Sequence, residues 1–82
     1  MIHLVLYTRS KCHLCERMRA DIQALAGDRV SVRAVDIDGD EQLRAAYWDR
    51  IPVLVHEDEV LCFGQLNRER LQALLDAEGS AG

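Results

Sequence analysis

Residues 8–15 read Thr8-Arg9-Ser10-Lys11-Cys12-His13-Leu14-Cys15 (TRSKCHLC), which sets two cysteines three positions apart. An apolar run from Ile2 to Tyr7 precedes them, and a helical pattern follows. Apart from His3 the run is apolar on both faces, as in a central strand covered on two sides. From Leu14 the apolar residues Leu14, Met18, Ile22 and Leu25 recur at helical spacing, and Gly27 is placed as a C-cap. The cysteine pair therefore falls where a strand hands over to a helix.

Working outward, Val30, Val32 and Ala34 alternate with Ser31 and Arg33, so Val30 to Ile37 reads as a strand with one solvated side. Asp38-Gly39-Asp40-Glu41 offers a capping box in which Asp38 and Glu41 satisfy orphan amides reciprocally. The short helix it opens carries Leu43, Ala46 and Tyr47 on one face. Pro52, the single proline, ends that region. Val53-Leu54-Val55, an acidic turn at Glu57-Asp58-Glu59, and Val60 to Phe63 then read as a hairpin whose turn lacks the usual Gly or Asn. Asn67 caps a last helix, with Leu66 and Leu71 as a hydrophobic staple and Leu74 and Leu75 on the buried side. Residues 1–78 read as one domain and 79–82 as a frayed tail.

The order is β-α-β-α-β-β-α, an α/β fold. Its first strand–helix–strand unit implies a right-handed crossover and a parallel pair. The closing hairpin adds antiparallel strands, which gives a four-stranded mixed sheet with helices on both faces, in three layers.

Composition narrows the function classes. At 82 residues the chain buries about 60–65% of its unfolded surface. A formal charge of −4 argues against a general nucleic-acid or membrane-surface binder. Leu4-Val5-Leu6 is too short for a signal peptide and lacks a basic flank or cleavage site. Nothing approaches the ~20 apolar residues of a membrane span. Three cysteines without an export signal point to a reducing, cytoplasmic setting, where a close pair is reactive or metal-binding rather than structural. No apolar stripe demands association, so a monomer is expected.

The junction gives the pair its chemistry. A helix N-terminus presents unpaired amides and about half a positive charge, which favours the thiolate of Cys12. Cys15 lies one turn further in and faces the interior. An exposed attacker beside a shielded resolver is what thiol–disulfide exchange needs. Arg9 and Lys11, beside the sulfur, read as thiolate support, whereas Arg17 and Arg19 read equally as support or as solvated surface. His13 stays open between an imidazolium beside the thiolate and an ordinary exposed histidine. His3 and His56 read as incidental strand residues, Cys62 as buried packing, and Tyr47 and Trp48 as core or rim packing. A zinc site wants four ligands, and one C-x-x-C with a distant Cys62 and three scattered histidines does not supply a second paired motif. No metal site is expected.

The segment from Tyr7 to Cys15 resembles the active-site segment of glutaredoxins, and the chain up to about Leu75 resembles their minimal thioredoxin-like fold. It is most similar to small bacterial glutaredoxin-like proteins. The resemblance implies that Cys12 is the nucleophile and Cys15 the resolving cysteine. It assigns to Arg9 the basic residue that helps hold a glutathione carboxylate. It places the family's cis-proline, which faces the cysteine pair and offers backbone bonds to substrate, at Pro52 after Ile51. The residues alone favour an ordinary trans proline opening a strand.

Three departures accompany the likeness. His13-Leu14 stands for Pro-Tyr between the cysteines, and Arg50-Ile51 stands for Thr-Val before the proline. Gly64-Gln65-Leu66-Asn67-Arg68 stands for a glycine pair and aspartates that hold the γ-glutamyl end of glutathione. Gly64 is kept and Asn67 offers a side chain and helix-terminal amides, but the acidic partners for an ammonium group are gone. The expected function is a thiol–disulfide oxidoreductase acting on protein or low-molecular-weight disulfides. No tightly bound cofactor is expected, and glutathione is a candidate co-substrate. The alternative is a non-catalytic thioredoxin-fold binding module whose cysteines are vestigial or hold a metal or an iron–sulfur cluster.

Overall fold

The computed structural model describes the backbone of residues 1–81 and the side chains of residues 1–78, so that Gly82, the end of the tail expected to fray over 79–82, lies outside the described residues. The elements follow the expected order: β1 (Ile2–Thr8), α1 (His13–Ala26), β2 (Val30–Asp36), α2 (Glu41–Tyr47), β3 (Val53–His56), β4 (Glu59–Phe63) and α3 (Arg68–Ala81). Two 3₁₀ turns, Gly27–Arg29 and Ile37–Gly39, flank β2. The strands form one sheet in the order β2-β1-β3-β4. β1 runs parallel to β2 and antiparallel to β3, so it is hydrogen-bonded on both sides. This is the expected mixed sheet. Among the described residues no helix is long and apolar enough to cross a membrane.

The main core lies on the sheet face covered by α1 and α3. Ile2, Leu4 and Leu6 of β1 and Leu54 of β3 pack there with Met18 and Ile22 of α1 and Leu71 and Leu75 of α3. The buried stripe of α1 is Cys15, Met18, Ile22 and Ala26. Leu14, expected on that face, is exposed, because a residue one position before Cys15 is turned about 100° away from it. Gly27 ends α1 with φ +52, a left-handed conformation suited to its lack of a Cβ.

The second face is thinner. Val5 and Tyr7 alternate away from the core, and α2, with half-buried Leu43 and Tyr47, meets Tyr7 on that side. The rings of Tyr7 and Tyr47 stack with centroids 5.0 Å apart. Ala46, expected on the covered face, is exposed, since a seven-residue helix can bury only its Leu43–Tyr47 row. Ala34 is exposed as well, and the buried continuation of β2 is Ile37, in the turn beyond the strand.

The cap of α2 differs from expectation. Asp40, not Asp38, is the N-cap, and its Oδ1 accepts the N–H groups of Gln42 at 2.8 Å and Leu43 at 3.1 Å. Asp36 caps the preceding 3₁₀ turn by accepting the Asp38 N–H at 2.8 Å. The hairpin forms without Gly or Asn because Glu57 and Asp58 themselves adopt φ +48 and +69. These left-handed values match the two-residue turn that follows strand twist, at a steric cost non-glycine residues carry. Replacing the pair by Asn-Gly (Glu57→Asn with Asp58→Gly) is expected to raise stability by about 1 kcal/mol. In a domain this small that is a melting midpoint about 4–8 °C higher, read by circular dichroism.

Candidate active site

The register of the sheet gathers the expected residues at one edge. Thr8 pairs with Asp36, and Tyr7 with Val53, so the chain leaving β1 emerges between the end of β2 and the start of β3. Phe63 also pairs with Val53, which brings the exit of β4 to that edge.

Residues 9–12 cross this edge. Lys11 turns the chain with φ +57 and is exposed. Cys12 follows in an extended conformation as the N-cap of α1. Its Sγ accepts the N–H of Cys15 at 3.2 Å, and its carbonyl accepts the N–H of Glu16 at 3.2 Å. A cysteine thus fills the position usually held by Ser, Asp or Asn, with sulfur as the capping acceptor. Cys15 is buried with 3% exposure, whereas Cys12 is half-exposed. Their Cα atoms lie 5.2 Å apart, inside the range disulfide geometry demands, and the two sulfurs are joined.

The charged neighbours are arranged less simply. Arg9 is tied to Asp38, with Nη2 3.2 Å from Oδ1 and Nε donating to Oδ2 at 3.3 Å. Its positive charge is therefore shared with a carboxylate. Ser10 Oγ lies 3.5 Å from Asp36 Oδ2, so both residues before Lys11 lean on the 36–38 turn. His13 is fully exposed, with Nδ1 3.9 Å from Glu16 Oε2. It makes no hydrogen bond to either sulfur.

The entry to β3 and the β4–α3 loop reach the same edge of the sheet. The Ile51–Pro52 peptide is cis, as the resemblance implies, and Pro52 is fully buried beside half-buried Ile51. The Pro52 carbonyl accepts the N–H of Gly64 at 2.8 Å. Gly64 needs its freedom, since φ is +77 there. Asn67 caps α3, its Oδ1 accepting the Arg70 N–H at 3.1 Å, which leaves its NH2 group for other partners. Trp48 is 62% exposed, so it belongs to the rim rather than the core, in a hollow shared with Arg9, Glu41 and Arg44.

A larger groove, of about 560 Å³, lies between α1 and the β4–α3 loop, with Leu14, Arg17, Asp21, Phe63, Gly64 and Arg68 along it. Sequence reasoning misses it. Leu14 reads as core by its spacing, and Phe63 reads as one more strand residue. The available signal is Leu14 itself, an apolar residue between two cysteines of which the second carries the buried stripe.

Set against known proteins, residues 3–76 match the family model of the glutaredoxin-like domain (DUF836). The chain is similar to protein Ne2328 from Nitrosomonas europaea, at 37% identity and a TM-score of 0.76 over 89% of each chain. It is also similar to protein XcR50 from X. campestris, at 37% identity and a TM-score of 0.70 over 90% of this chain and 96% of that one. Thioredoxin 1 from Thermosipho africanus shares the fold, with a TM-score of 0.60 at 14% identity over 95% and 99% of the two chains. No curated protein matches.

Cys62, the remaining cysteine, is buried on β4. Burial pushes its thiol up, against smaller opposing effects from the Asn67 backbone and the Arg70 charge. A thiol held up in the folded state favours folding below the unfolded value near 8.5 and loses that contribution as pH rises through the folded one. The protein is therefore expected to lose stability above about pH 8.5, and a Cys62→Ala variant to lose less over the same range. Urea unfolding at pH 7 and pH 9.5 compares the two slopes.

Proposed function

The chain belongs to the glutaredoxin-like domain family, and from that premise we propose that it is a thiol–disulfide oxidoreductase. The observation that carries the proposal is the Cys15 N–H aimed at Cys12 Sγ from the first turn of α1. A hydrogen bond to sulfur is strengthened when the acceptor is charged, and the helix end adds its partial positive charge. Both effects favour thiolate, the nucleophilic form. Cys15 gains neither the exposure nor the cap, so the two thiols differ in role.

In the reaction, the Cys12 thiolate attacks one sulfur of a protein or low-molecular-weight disulfide. The substrate S–S bond breaks, one substrate thiolate leaves, and a mixed disulfide forms on Cys12. Cys15, deprotonated, then attacks Cys12 Sγ and releases the second substrate thiolate. Two electrons and two protons pass to the substrate, which leaves as two thiols, and the protein is left oxidised with a Cys12–Cys15 disulfide. Two equivalents of glutathione, or one dithiol of another carrier, return the pair to the reduced form. The 5.2 Å Cα spacing supports this step, because it lies within the range a disulfide requires.

Ile51, Pro52, Gly64 and Asn67 are assigned to the substrate backbone in this reading, which the Pro52–Gly64 bond at the shared sheet edge supports. Lys11, exposed and one residue before Cys12, adds positive charge to the approach to the sulfur. Arg9 acts with Asp38 as a unit that fixes the loop and, in this reading, offers its free guanidinium edge to a substrate carboxylate. His13, fully exposed and turned to Glu16, is not assigned a step in this cycle.

In the reduced protein at pH 7, iodoacetamide is expected to label Cys12 about tenfold faster than free cysteine, with Cys62 last. Peptide mapping by mass spectrometry orders the three sites. Cys12→Ser is expected to abolish disulfide reduction, and Cys15→Ser to accumulate the mixed disulfide. Equal labelling of Cys12 and free cysteine, with no turnover, would refute the assignment.

A further inference from the structure

The groove beside Leu14 carries a charge pattern that the redox cycle does not explain. Asp21 is shared by two guanidiniums, Arg17 at 3.9 Å and Arg68 at 3.6 Å. One carboxylate against two arginines leaves the groove positive, in a chain whose formal charge is −4. Both contacts are long, and the arginines are 78% and 60% exposed, so most of their donors face solvent. Arg68 also stands in the first turn of α3, where a cation works against the helix dipole. Helix stability does not account for an arginine there, and a residue that breaks a local rule points to use elsewhere.

The apolar side of the groove is equally specific. Leu14 and Phe63 are each 57% exposed, two of the few large apolar side chains left to solvent among the described residues. Leu14 is two residues from Cys12, on the first turn of the same helix. Leu14 therefore brings the near end of the groove to the same helical turn that Cys12 caps. Gly64 opens the floor of the groove, with no atom within 4 Å of where a Cβ would stand.

We infer that this groove selects protein disulfides whose cysteine is flanked by an apolar residue and then by Asp or Glu, the apolar side chain resting on Leu14 and Phe63 and the carboxylate bridging Arg17 and Arg68. The inference rests on Cys12 being the nucleophile and adds no chemical step to that cycle. Two guanidiniums on one carboxylate give geometric as well as electrostatic preference. The same pair repels a lysine or arginine in the substrate, which supplies discrimination by clash.

The test uses three disulfide-linked peptides that share an apolar residue and differ only in a Glu, Gln or Lys flank. Each rate of reduction is corrected for dithiothreitol alone. The Glu peptide is expected to exceed the Lys peptide by about tenfold in kcat/KM at low salt, with the ratio shrinking toward one at high salt. Arg17→Glu with Arg68→Glu is expected to invert the order while the circular dichroism spectrum stays that of the wild type. Rates independent of flank charge, or an order untouched by the double variant, overturn the inference and leave the oxidoreductase standing. Should no peptide be reduced, the oxidoreductase reading falls, and fluorescence anisotropy with fluorescein-labelled peptides carrying Ser for Cys decides the groove on its own. There, tighter binding of the Glu peptide supports the inference and equal binding defeats it. An S-glutathionylated Gln peptide that outpaces the Glu peptide also overturns it, because the bound carboxylate is then that of glutathione.

Discussion

The hydrogen bond from the Cys15 amide to the Cys12 sulfur is the constraint on which the site depends. It ends the loop, starts the helix and orients the sulfur in one contact. An N-cap must accept from the first turn, so the acceptor atom is held where the unpaired amides converge. The same requirement turns the residue three positions on toward the core, which is why Cys15 is buried and Cys12 is not. The asymmetry of the pair follows from helix geometry alone.

Around that junction the sheet acts as a locating frame. β1 pairs on both sides, and its C-terminal end is bracketed by Asp36 and Val53. Three separate segments, the 9–12 loop, the entry to β3 and the exit from β4, are thereby delivered to one edge. The Pro52–Gly64 backbone bond joins two of them, and the Arg9–Asp38 ion pair joins the first to the turn before α2. Loops so fastened carry function without much freedom of their own.

Much of the fold is legible in the sequence, because each element carries its own punctuation. Gly27 stops α1, Asn67 starts α3 with its staple, and β1 shows as a short run apolar on both faces. The cysteine pair is legible for the same reason, as a local pattern at a boundary. What escapes is whatever depends on distant partners. Arg9 and Asp38 are 29 residues apart, and no periodicity announces their pairing. With Asp36, Asp38 and Asp40 in one short stretch, the choice of cap is settled by which carboxylate is free, and Arg9 takes Asp38. Leu14 is misassigned by a single step in helical phase, and with it goes the groove. Arg68 carries no local signal except its poor fit to the start of a helix.

The uneven cover of the sheet has a thermodynamic corollary. α2 is held by the Leu43–Tyr47 row and the tyrosine stack, while α1 and α3 share the main core. A layer with so few buried contacts opens at lower free energy than the global transition. The single tryptophan, Trp48, sits at the end of that layer and not in the core. Intrinsic fluorescence therefore watches a sub-global opening, and its transition will run ahead of the one seen by far-ultraviolet dichroism. A chain of this size, which by length alone should melt in one cooperative step, will look less than cooperative when the two probes are overlaid.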